Sequence, residues 1–324
     1  MSACECLQDE PYFGLSPIIG NAKPFIDAAA AAHCTVLLRG ETGTGKGRLA
    51  RWIHEHSSRR GNSFVDINCS GLKGDLLKSE LFGHSKGAFT GALNDREGLI
   101  EEANGGTLFL DEIGDMDVGV QCELLKAIEE KNYRRVGENK LRSSDFRLIC
   151  ATNRNLPEAM GCGDFRPDLF YRINTLSICL PSLRERTEDI DGLTRYMLTS
   201  MGYRHFPVRA DVVDALTSYH WPGNIRELRN VIERALVFAQ GSPLTLKHFP
   251  GLENPAKSGG TPLTPQGEVV WNLEHIEKEH ILRALKHFKG DKEKASAALG
   301  ISRASMYRKL EKIWNQDRKN GLIA

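Results

Sequence analysis

One glycine-rich run carries the residue types that bind phosphate. Gly40-Glu41-Thr42-Gly43-Thr44-Gly45-Lys46 follows the apolar stretch TVLLR and precedes a helix-like stretch that begins at Lys46. Glycines here let main-chain N–H groups turn toward phosphate oxygens, and a helix amino terminus adds partial positive charge. The spacing predicts a P-loop in which Lys46 contacts the β- and γ-phosphates. The alternative is a glycine-rich turn without a ligand.

An acidic pair supplies a second group of candidate residues. Asp111 and Glu112 end the apolar run TLFLDE, and ligands of parallel α/β sheets bind at the carboxyl ends of strands. Gly47 stands where the general P-loop pattern has a Ser or Thr that contacts magnesium. We therefore expect Asp111, the phosphates and water to hold Mg²⁺, and Glu112 to polarise the attacking water. By itself, an acidic pair after a strand is more often a solvated turn.

Short apolar runs alternate with helical patterns around these residues. Helices are predicted at Lys46–Glu55 and Val120–Glu130, and helix patterns dominate from about Pro181 to Gly251. This order favours an α/β fold, with a parallel sheet covered by helices on both faces, followed by a small helical subdomain. Four buried strands are predicted: TVLLRG (35–40), SFVDINC (63–69), TLFLDEI (107–113) and FRLICAT (146–152).

Composition limits the class of protein. The 324 residues suggest two or three domains, and 43 basic against 42 acidic residues give a net charge of +1. No apolar run approaches the roughly 20 residues of a membrane span, and no signal peptide is readable. None of the eight cysteines forms a C-x-x-C pair. We therefore expect a cytosolic protein with reduced, mostly buried thiols and no disulfide framework or zinc site.

The carboxyl-terminal segment differs in charge from the rest. Residues 271–324 carry five more basic than acidic residues, and the linker-like stretch Asn254–Glu268, rich in Pro, Gly, Ser and Thr, precedes them. Two short helices, one capped by Asp291 and one by Ser302, with a turn at Gly300, predict a helix-turn-helix. The alternative is a small solvated bundle. Residues of the second helix suited to contact phosphates and base edges are Ser302, Arg303, Ser305, Tyr307, Arg308 and Lys309.

A loop rich in small residues places one aromatic side chain between glycines. Within Glu80–Ala92, the run Gly87-Ala88-Phe89-Thr90-Gly91-Ala92 packs poorly into a core and predicts a mobile loop that offers Phe89 to a partner. This GAFTGA run, between GETGTGK and GGTLFLDE, resembles the AAA+ ATPases that activate bacterial sigma-54 RNA polymerase. RLICATNRNL, FRPDLFYRIN, LPSLRER and WPGNIRELRN continue the resemblance in family order, and KGDKEKASAALGISRASMYRKLEK resembles a Fis-type DNA-binding domain.

The resemblance implies a role for each matching residue. Phe89 and Thr90 would contact the sigma factor, Asn68 would restrain Glu112, and Thr152 with Asn153 would sense the γ-phosphate. Arg166 and Arg172 resemble arginine fingers that reach a neighbouring subunit's nucleotide, and Arg226 resembles a second sensor on a helical lid. ATP and Mg²⁺ are the implied cofactors. The implied partners are sigma-54 RNA polymerase, enhancer DNA and further subunits in a ring, typically a hexamer, of identical or paralogous chains.

The resemblance also implies a domain order. We expect a short extension (1–16), an AAA+ α/β ATPase subdomain (17–180), a helical lid (181–253), a linker (254–270) and the helix-turn-helix (271–324). With so short an extension, the chain resembles activators that lack a receiver domain, such as the phage-shock activator and the HrpR/HrpS regulators of type III secretion. Control would then come through a bound repressor or co-activator. The alternatives are another AAA+ machine, such as a replication initiator, or a DNA-binding regulator with a weak or lost ATPase.

Overall fold

A computed structural model describes residues 12–72, 74–203, 206–250, 252, 281, 291–298, 305–306 and 308–310. The chain divides into two compact units, Met1–Ser258 and Gly259–Ala324, so the division falls inside the predicted linker. The helices of the first unit are α1 (Pro17–Ala31), α2 (Lys46–Glu55), α3 (Asp75–Phe82), α4 (Leu99–Glu102), α5 (Val118–Glu130), α6 (Leu156–Cys162), α7 (Pro167–Ile173), α8 (Ile190–Ser200), α9 (Ala210–Ser218) and α10 (Asn224–Ala239).

Five parallel strands form the central sheet of this unit, and the sequence predicts a parallel sheet and four of these strands. The five strands are β1 (Val36–Arg39), β2 (Phe64–Asn68), β3 (Thr107–Asp111), β6 (Arg147–Thr152) and β7 (Leu176–Cys179), in the order β2-β3-β6-β1-β7, and β7 is the additional one. A separate antiparallel hairpin consists of β4 (Asn132–Tyr133) and β5 (Arg142–Ser143). The P-loop directly follows β1, which pairs with both β6 and β7.

Successive residues of the inner strands pack into two different cores. Leu37, Leu148 and Cys150 belong to the cluster on one face of the sheet, which α3, α5 and α7 cover. Val36 and Ile149 belong to the cluster on the other face, with residues of α1 and α2. All six residues of β6 are buried, as expected of an apolar strand that is covered on both faces. This rigid layer fixes the strand ends that carry the candidate site.

The helices α8 to α10 form a third core, which confirms the predicted helical subdomain. Trp221, Leu228 and Ile232 are fully buried in it, and the Trp221 indole N–H donates to the Leu216 carbonyl at 2.8 Å. The first described residues attach to this lid. The N–H groups of Leu15 and Ser16 both donate to Asp189 Oδ1, at 2.6 and 2.9 Å. The described end of the predicted extension therefore packs against the lid.

The second unit is described in part and contains helix α11 (Lys292–Ala298). Asp291 Oδ1 accepts hydrogen bonds from the N–H groups of Glu293 and Lys294, at 3.1 and 3.2 Å, which confirms the predicted cap. Residues 305–306 and 308–310 are also helical, with Met306 and Leu310 buried. Gly300, Ser302, Arg303 and Tyr307 lie outside the described residues.

The described cysteines are free thiols, as the sequence predicts, but fewer of them are buried than expected. Cys69 and Cys150 are buried, and burial raises the pKa of the Cys69 thiol to about 12. Cys162 and Cys179 are exposed instead, because they lie at the end of α6 and at the end of the edge strand β7. Cys4 and Cys6 lie outside the described residues.

Within the described part of the chain, no helix is both long enough and apolar enough to cross a membrane.

Candidate functional site

The P-loop lies between the carboxyl end of β1 and the amino end of α2. Gly45 has φ = 101° and caps α2, so its left-handed backbone turns the chain directly into the helix. Lys46 is 6% exposed, and its ammonium donates to the Gly40 and Glu41 carbonyls at 3.0 and 3.2 Å. These bonds hold the cation inside the loop, where a phosphate group would meet it.

Glu112 faces the P-loop from the end of β3. Its Oε1 lies 3.6 Å from Lys46 Nζ, and its Oε2 accepts a 2.9 Å hydrogen bond from the Asn153 main-chain N–H. The Asn153 amide nitrogen Nδ2 also donates to Thr42 Oγ1 at 2.9 Å. Asn153 therefore joins the carboxylate to the P-loop. Glu112 has φ = 52°, an uncommon backbone conformation that sets the direction of its side chain.

Asp111 supplies a second carboxylate at the same strand end. Its Oδ1 accepts the Glu112 N–H at 3.1 Å, and both side chains are partly exposed. No group of three or more His, Cys, Asp and Glu side chains in the described ranges could hold a metal ion. Two carboxylates that leave positions for phosphate oxygens and water fit Mg²⁺, which keeps several waters and takes few protein ligands.

The lid contacts the P-loop through buried Asn224. Its Oδ1 accepts the Leu183 N–H at 2.7 Å, while its Nδ2 donates to the Thr42 carbonyl at 3.0 Å and to Glu41 Oε2 at 3.2 Å. Arg184 adds a bidentate ion pair with Glu41, with Nη1 2.9 Å from Oε2. The Arg226 N–H donates to the Gly43 carbonyl at 3.3 Å. The start of α10 is therefore bound to the phosphate loop.

The backbone of Gly43 also makes a close approach to the lid. Gly43 has φ = 83°, and a Cβ atom at this position would lie 2.2 Å from the Gly223 carbonyl oxygen. Only glycine fits here without displacing the lid. An apolar pocket lies beside this contact, between the lid and the α/β layer, and is lined by residues such as Tyr12, Ile19, Thr44, Leu180, Met197 and Ile225.

Thr152, a predicted sensing residue, and Asn68, the predicted restraint on Glu112, differ in their surroundings. Thr152, at the end of β6, is fully buried, and its hydroxyl accepts the Arg154 N–H at 3.0 Å. Asn68 lies opposite Asp111 in the β2–β3 register, but its Oδ1 accepts bonds from Ser70 N and Oγ, at 2.9 and 2.7 Å. The Glu112 carboxylate is bonded by Asn153 instead. The restraint of Glu112 by Asn68 stays a prediction.

The GAFTGA run forms the tip of a loop between α3 and α4. The Gly87 N–H donates to the Ala92 carbonyl at 2.9 Å and the Ala92 N–H to the Phe89 carbonyl at 3.0 Å, with φ = 82° at Gly87 and 107° at Gly91. Phe89 is 42% exposed and lies edge-on to the His84 ring, with centroids 5.0 Å apart. Thr90 is exposed and Ala92 is buried. The loop is therefore held together by main-chain hydrogen bonds, while Phe89 and Thr90 at its tip are exposed to solvent.

Comparison with known proteins decides the family. Residues 13–179 match the sigma-54 interaction domain, residues 184–262 the AAA+ ATPase lid domain, and residues 272–312 the Fis family of bacterial regulatory proteins. The chain belongs to the sigma-54-dependent transcriptional activators. It is 44% identical to the transcriptional regulatory protein ZraR of Klebsiella oxytoca over 306 residues, which are 92% of this chain and 68% of ZraR. The sigma-54 activation domain is an AAA+ ATPase.

Two further relatives agree with this assignment. The alginate biosynthesis transcriptional regulatory protein AlgB of Pseudomonas syringae pv. tomato is 43% identical over 284 residues, which are 86% of this chain and 62% of AlgB. The crystal structure of NtrX from Brucella abortus in complex with ATP has a TM-score of 0.71 at 28% identity, and the match covers 94% of this chain and 70% of that chain. The P-loop of this activator therefore lies in a fold whose solved relative binds ATP.

The residues that the family resemblance assigns as arginine fingers lie apart from this chain's own P-loop contacts. Arg166 caps α7 and pairs with Asp168, with Nη2 2.6 Å from Oδ2, and this hydrogen bond raises the pKa of the Arg166 guanidinium. Arg172 lies in the last turn of α7 and is exposed. Arg172 is exposed and Arg166 is partly exposed, and their role in a neighbouring subunit stays a prediction.

The described DNA-binding candidates of the activator belong to its second unit. Ser305, Arg308 and Lys309 are helical, and Arg308 Nη2 donates to Ser305 Oγ at 3.4 Å. Arg308 is exposed, whereas Met306 and Leu310 are buried. The segment therefore has one face in the core and one face with basic residues, as a recognition helix requires.

Three lid residues near the site were not predicted from the sequence: Arg184, Arg186 and Asn224. Arg186 is 2% exposed, and its Nη2 donates to the Thr44 carbonyl at 3.4 Å. Burial lowers the pKa of this guanidinium. All three lie in the segments LPSLRER and GNIREL. The sequence feature that could have identified them is a polar residue type next to the start of a helix. Their partners are more than 140 positions away in the chain, so spacing alone could not find them.

Proposed function

We propose that this activator hydrolyses ATP between neighbouring subunits of a ring and uses the resulting motion of the GAFTGA loop to remodel the sigma-54 RNA polymerase closed complex. The observation that supports this most directly is the exposure of Phe89 and Thr90 at the tip of a loop whose base is hydrogen bonded to the ATPase subdomain. A partner can therefore contact the tip without entering the ATP site.

The base of the loop is attached at two sides. The main chains of His84 and Arg96 exchange two hydrogen bonds, at 3.0 and 2.9 Å, and the Ser85 N–H donates to the Val136 carbonyl at 3.0 Å. Arg96 directly precedes the segment that forms α4 and then β3, at whose end Asp111 and Glu112 lie. A short covalent path therefore connects the phosphate site with the loop, and displacement of β3 would move the loop base.

The ring would complete the ATP site. Arg166 and Arg172 lie on α7, where they are partly exposed and exposed, and a neighbouring subunit's phosphates would meet them there. Such a finger stabilises the charge of the transferring phosphoryl group and is worth about 10³–10⁵ in kcat. Magnesium, held by Asp111 and the phosphates, would neutralise phosphate charge. The proposal includes a ring that combines this chain with a paralogue, and control by a bound repressor or co-activator.

Mixing two inactive variants tests catalysis in trans. Arg166→Ala lacks a finger but keeps its P-loop, whereas Lys46→Ala lacks the phosphate-binding cation but keeps its fingers. Each variant alone should lose hydrolysis. A mixture should regain part of the wild-type rate, because some interfaces then pair an intact P-loop with an intact finger. A mixture that stays as inactive as its components, although it assembles, would exclude catalysis in trans by Arg166.

The second unit would tether the ring to enhancer DNA. Arg308 and Lys309 lie on one helix of a domain in the Fis family, and two copies would read two half-sites. Arg308→Ala should weaken specific binding in a fluorescence anisotropy titration by about 1–3 kcal/mol. The similarity to short activators such as the HrpR/HrpS regulators extends the proposal to promoters of type III secretion (hrp) genes. A binding assay with DNA fragments that carry such promoters tests this extension.

Open-complex formation at a sigma-54 promoter is the deciding experiment, with wild type compared with Thr90→Ala. We expect wild type to open the promoter and the variant to hydrolyse ATP without opening it. If wild type hydrolyses ATP but opens nothing alone, a paralogous subunit is required. If it neither hydrolyses ATP nor opens the promoter with candidate subunits present, a DNA-binding regulator with a lost ATPase is favoured. Gly47, which stands where the general P-loop pattern has a Ser or Thr, is then the first residue to substitute.

A further inference from the structure

A cavity with a positively charged lining lies at the sheet edge opposite the P-loop. Thr35 directly precedes β1, Arg147 begins β6 and Thr175 precedes β7, so the amino ends of three neighbouring strands meet here. The cavity has a volume of about 220 Å³, whereas one water needs about 10–15 Å³. The P-loop follows the carboxyl end of β1, so this cavity is separate from the ATP site.

Four groups that can donate hydrogen bonds to an anion line this cationic cavity: His33, Lys131, Arg147 and Arg172. No carboxylate is among its lining residues. Lys131 is partly engaged, since its ammonium donates to the Phe146 carbonyl at 3.0 Å and lies 3.4 Å from Asp145 Oδ1. The lining therefore carries more positive than negative charge, and its donors come from different elements of the fold.

Arg147 is the unusual member of this group. It is 3% exposed, and one nitrogen, Nη2, donates to the Ala29 carbonyl. Its Nε and Nη1 are buried without a hydrogen-bond partner anywhere in the described part of the chain. A buried guanidinium without a compensating acceptor is costly, because burial penalises the unpaired charge. An anion in the adjoining cavity would supply the missing acceptors.

The structure assigns this cationic cavity as a binding site for a small tetrahedral oxyanion of the phosphate class. The two unpaired nitrogens of Arg147, Nε and Nη1, carry three N–H groups. Together with Lys131 and Arg172, they offer more donors and more charge than one carboxylate requires. His33 and Arg172 are exposed at the rim, so an anion can enter from solvent. The ligand would place an acceptor on Arg147 and draw Arg172 toward the cavity.

This binding has a consequence that rests on the proposed function. An anion that holds Arg172 in the cationic cavity would keep its guanidinium away from a neighbouring subunit's nucleotide. Phosphate released by hydrolysis would then slow the next turnover. Anion binding itself is measured without hydrolysis, so failure of the cavity assignment and failure of the proposed finger are distinguishable.

The test uses the full chain with a slowly hydrolysed ATP analogue bound, so that the P-loop phosphate positions are filled. Inorganic phosphate is titrated at constant ionic strength while the thermal midpoint of unfolding is recorded. We expect phosphate to raise the midpoint of wild type by several degrees. Arg147→Lys and Arg172→Gln should weaken phosphate binding about tenfold or more, whereas Arg195→Gln, whose side chain pairs with Asp191 on α8, should bind as wild type.

Three results would overturn the assignment. Equal stabilisation of wild type, Arg172→Gln and Arg195→Gln would show a general ionic effect. Equal stabilisation by acetate would show that the site does not select a tetrahedral ion. The absence of stabilisation in wild type would show that only water occupies the cavity. Since Arg172 is exposed, its variant should fold even if Arg147→Lys does not.

Crystals soaked in selenate should show anomalous scattering next to Arg147.

Discussion

The Glu112 carboxylate and the Lys46 ammonium lie 3.6 Å apart, each on a different side of the candidate phosphate site. Because Lys46 also donates to two P-loop carbonyls, an incoming phosphate competes for a cation that is already engaged. Phosphate binding would draw Lys46 away from Glu112 and leave the carboxylate to orient water. Glu112 would then respond to nucleotide binding through Lys46.

Glu112→Gln should therefore slow hydrolysis by about 10²–10⁴-fold, since the amide cannot accept a proton. Nucleotide binding should change little, because the amide keeps an oxygen for the Asn153 N–H. Steady-state hydrolysis and fluorescent-nucleotide binding measure the two effects. The matched control is Glu123→Gln, which removes a carboxylate paired with Lys78 at 2.5 Å on the protein surface. Hydrolysis within a few-fold of wild type would exclude Glu112 as the base.

Asn224→Ala should weaken both the fold and nucleotide binding. The change removes three hydrogen bonds at a fully buried position and leaves the Leu183 N–H and the Thr42 carbonyl without this partner. Asn224 has φ = 52°, which alanine tolerates less well. We expect a loss of about 1–3 kcal/mol in the free energy of unfolding, measured by urea denaturation.

Nucleotide affinity of Asn224→Ala should fall as well, because the lid no longer holds the Glu41–Thr42 segment. Asn139→Ala is the control, since Asn139 is exposed. Unchanged nucleotide affinity together with reduced stability would limit Asn224 to a structural role.

Gly137→Ala should uncouple hydrolysis from promoter opening. Gly137 has φ = 78°, and an added Cβ would lie 2.7 Å from the Ala88 Cβ in the GAFTGA run. The substitution should displace the loop, whereas the ATP site, on the strand ends, keeps its contacts. Open-complex yield should drop by at least half, with the hydrolysis rate within a factor of two of wild type.

Gly119→Ala controls for the loss of a glycine. A Cβ on Gly119 in α5 meets no atom within 4 Å, so this variant should be neutral or slightly stabilising. Loss of hydrolysis in Gly137→Ala would show that the β4–β5 region supports the ATP site rather than the loop.

The sequence patterns predicted local features better than distant contacts. β1, β2, β3 and β6 lie within one or two residues of the predicted strands, because continuous apolar runs form buried parallel strands. The edge strand β7 was not predicted individually, since only Ile178 of it is buried. The hairpin of β4 and β5 has two residues per strand, too few for a period to be visible.

The candidate site divides in the same way. The P-loop and the Asp111–Glu112 pair were found because their chemistry lies in consecutive residues. Asn224 and Arg184 contact Glu41 across more than 140 positions, and no periodicity encodes such a contact. Arg147 lies within the predicted strand 146–152, and nothing in that pattern distinguishes it. Its unpaired nitrogens follow only from the packing of the folded chain.

The Glu41–Arg184 ion pair predicts a pH dependence of stability. The hydrogen bond from Arg184, with a smaller one from Asn224, outweighs partial burial and lowers the pKa of the Glu41 carboxyl from its ordinary value of 4.5. A carboxyl whose pKa is lower in the folded state stabilises the fold above the unfolded pKa and loses this contribution as pH falls through the folded pKa. The effect should therefore be constant near neutral pH and disappear below pH 4.5.

A double-mutant cycle isolates this contribution. Glu41→Gln, Arg184→Gln and the double variant should give a coupling of about 0.2–1 kcal/mol at pH 7, because both side chains are 44–45% exposed and solvent screens the pair. The coupling should shrink in high salt. It should also vanish in acid, as the Glu41 carboxyl becomes protonated. A coupling that persists at a pH well below 4 would mean that the contact does not depend on ionised Glu41, and the lid would then be attached to the P-loop mainly by Asn224.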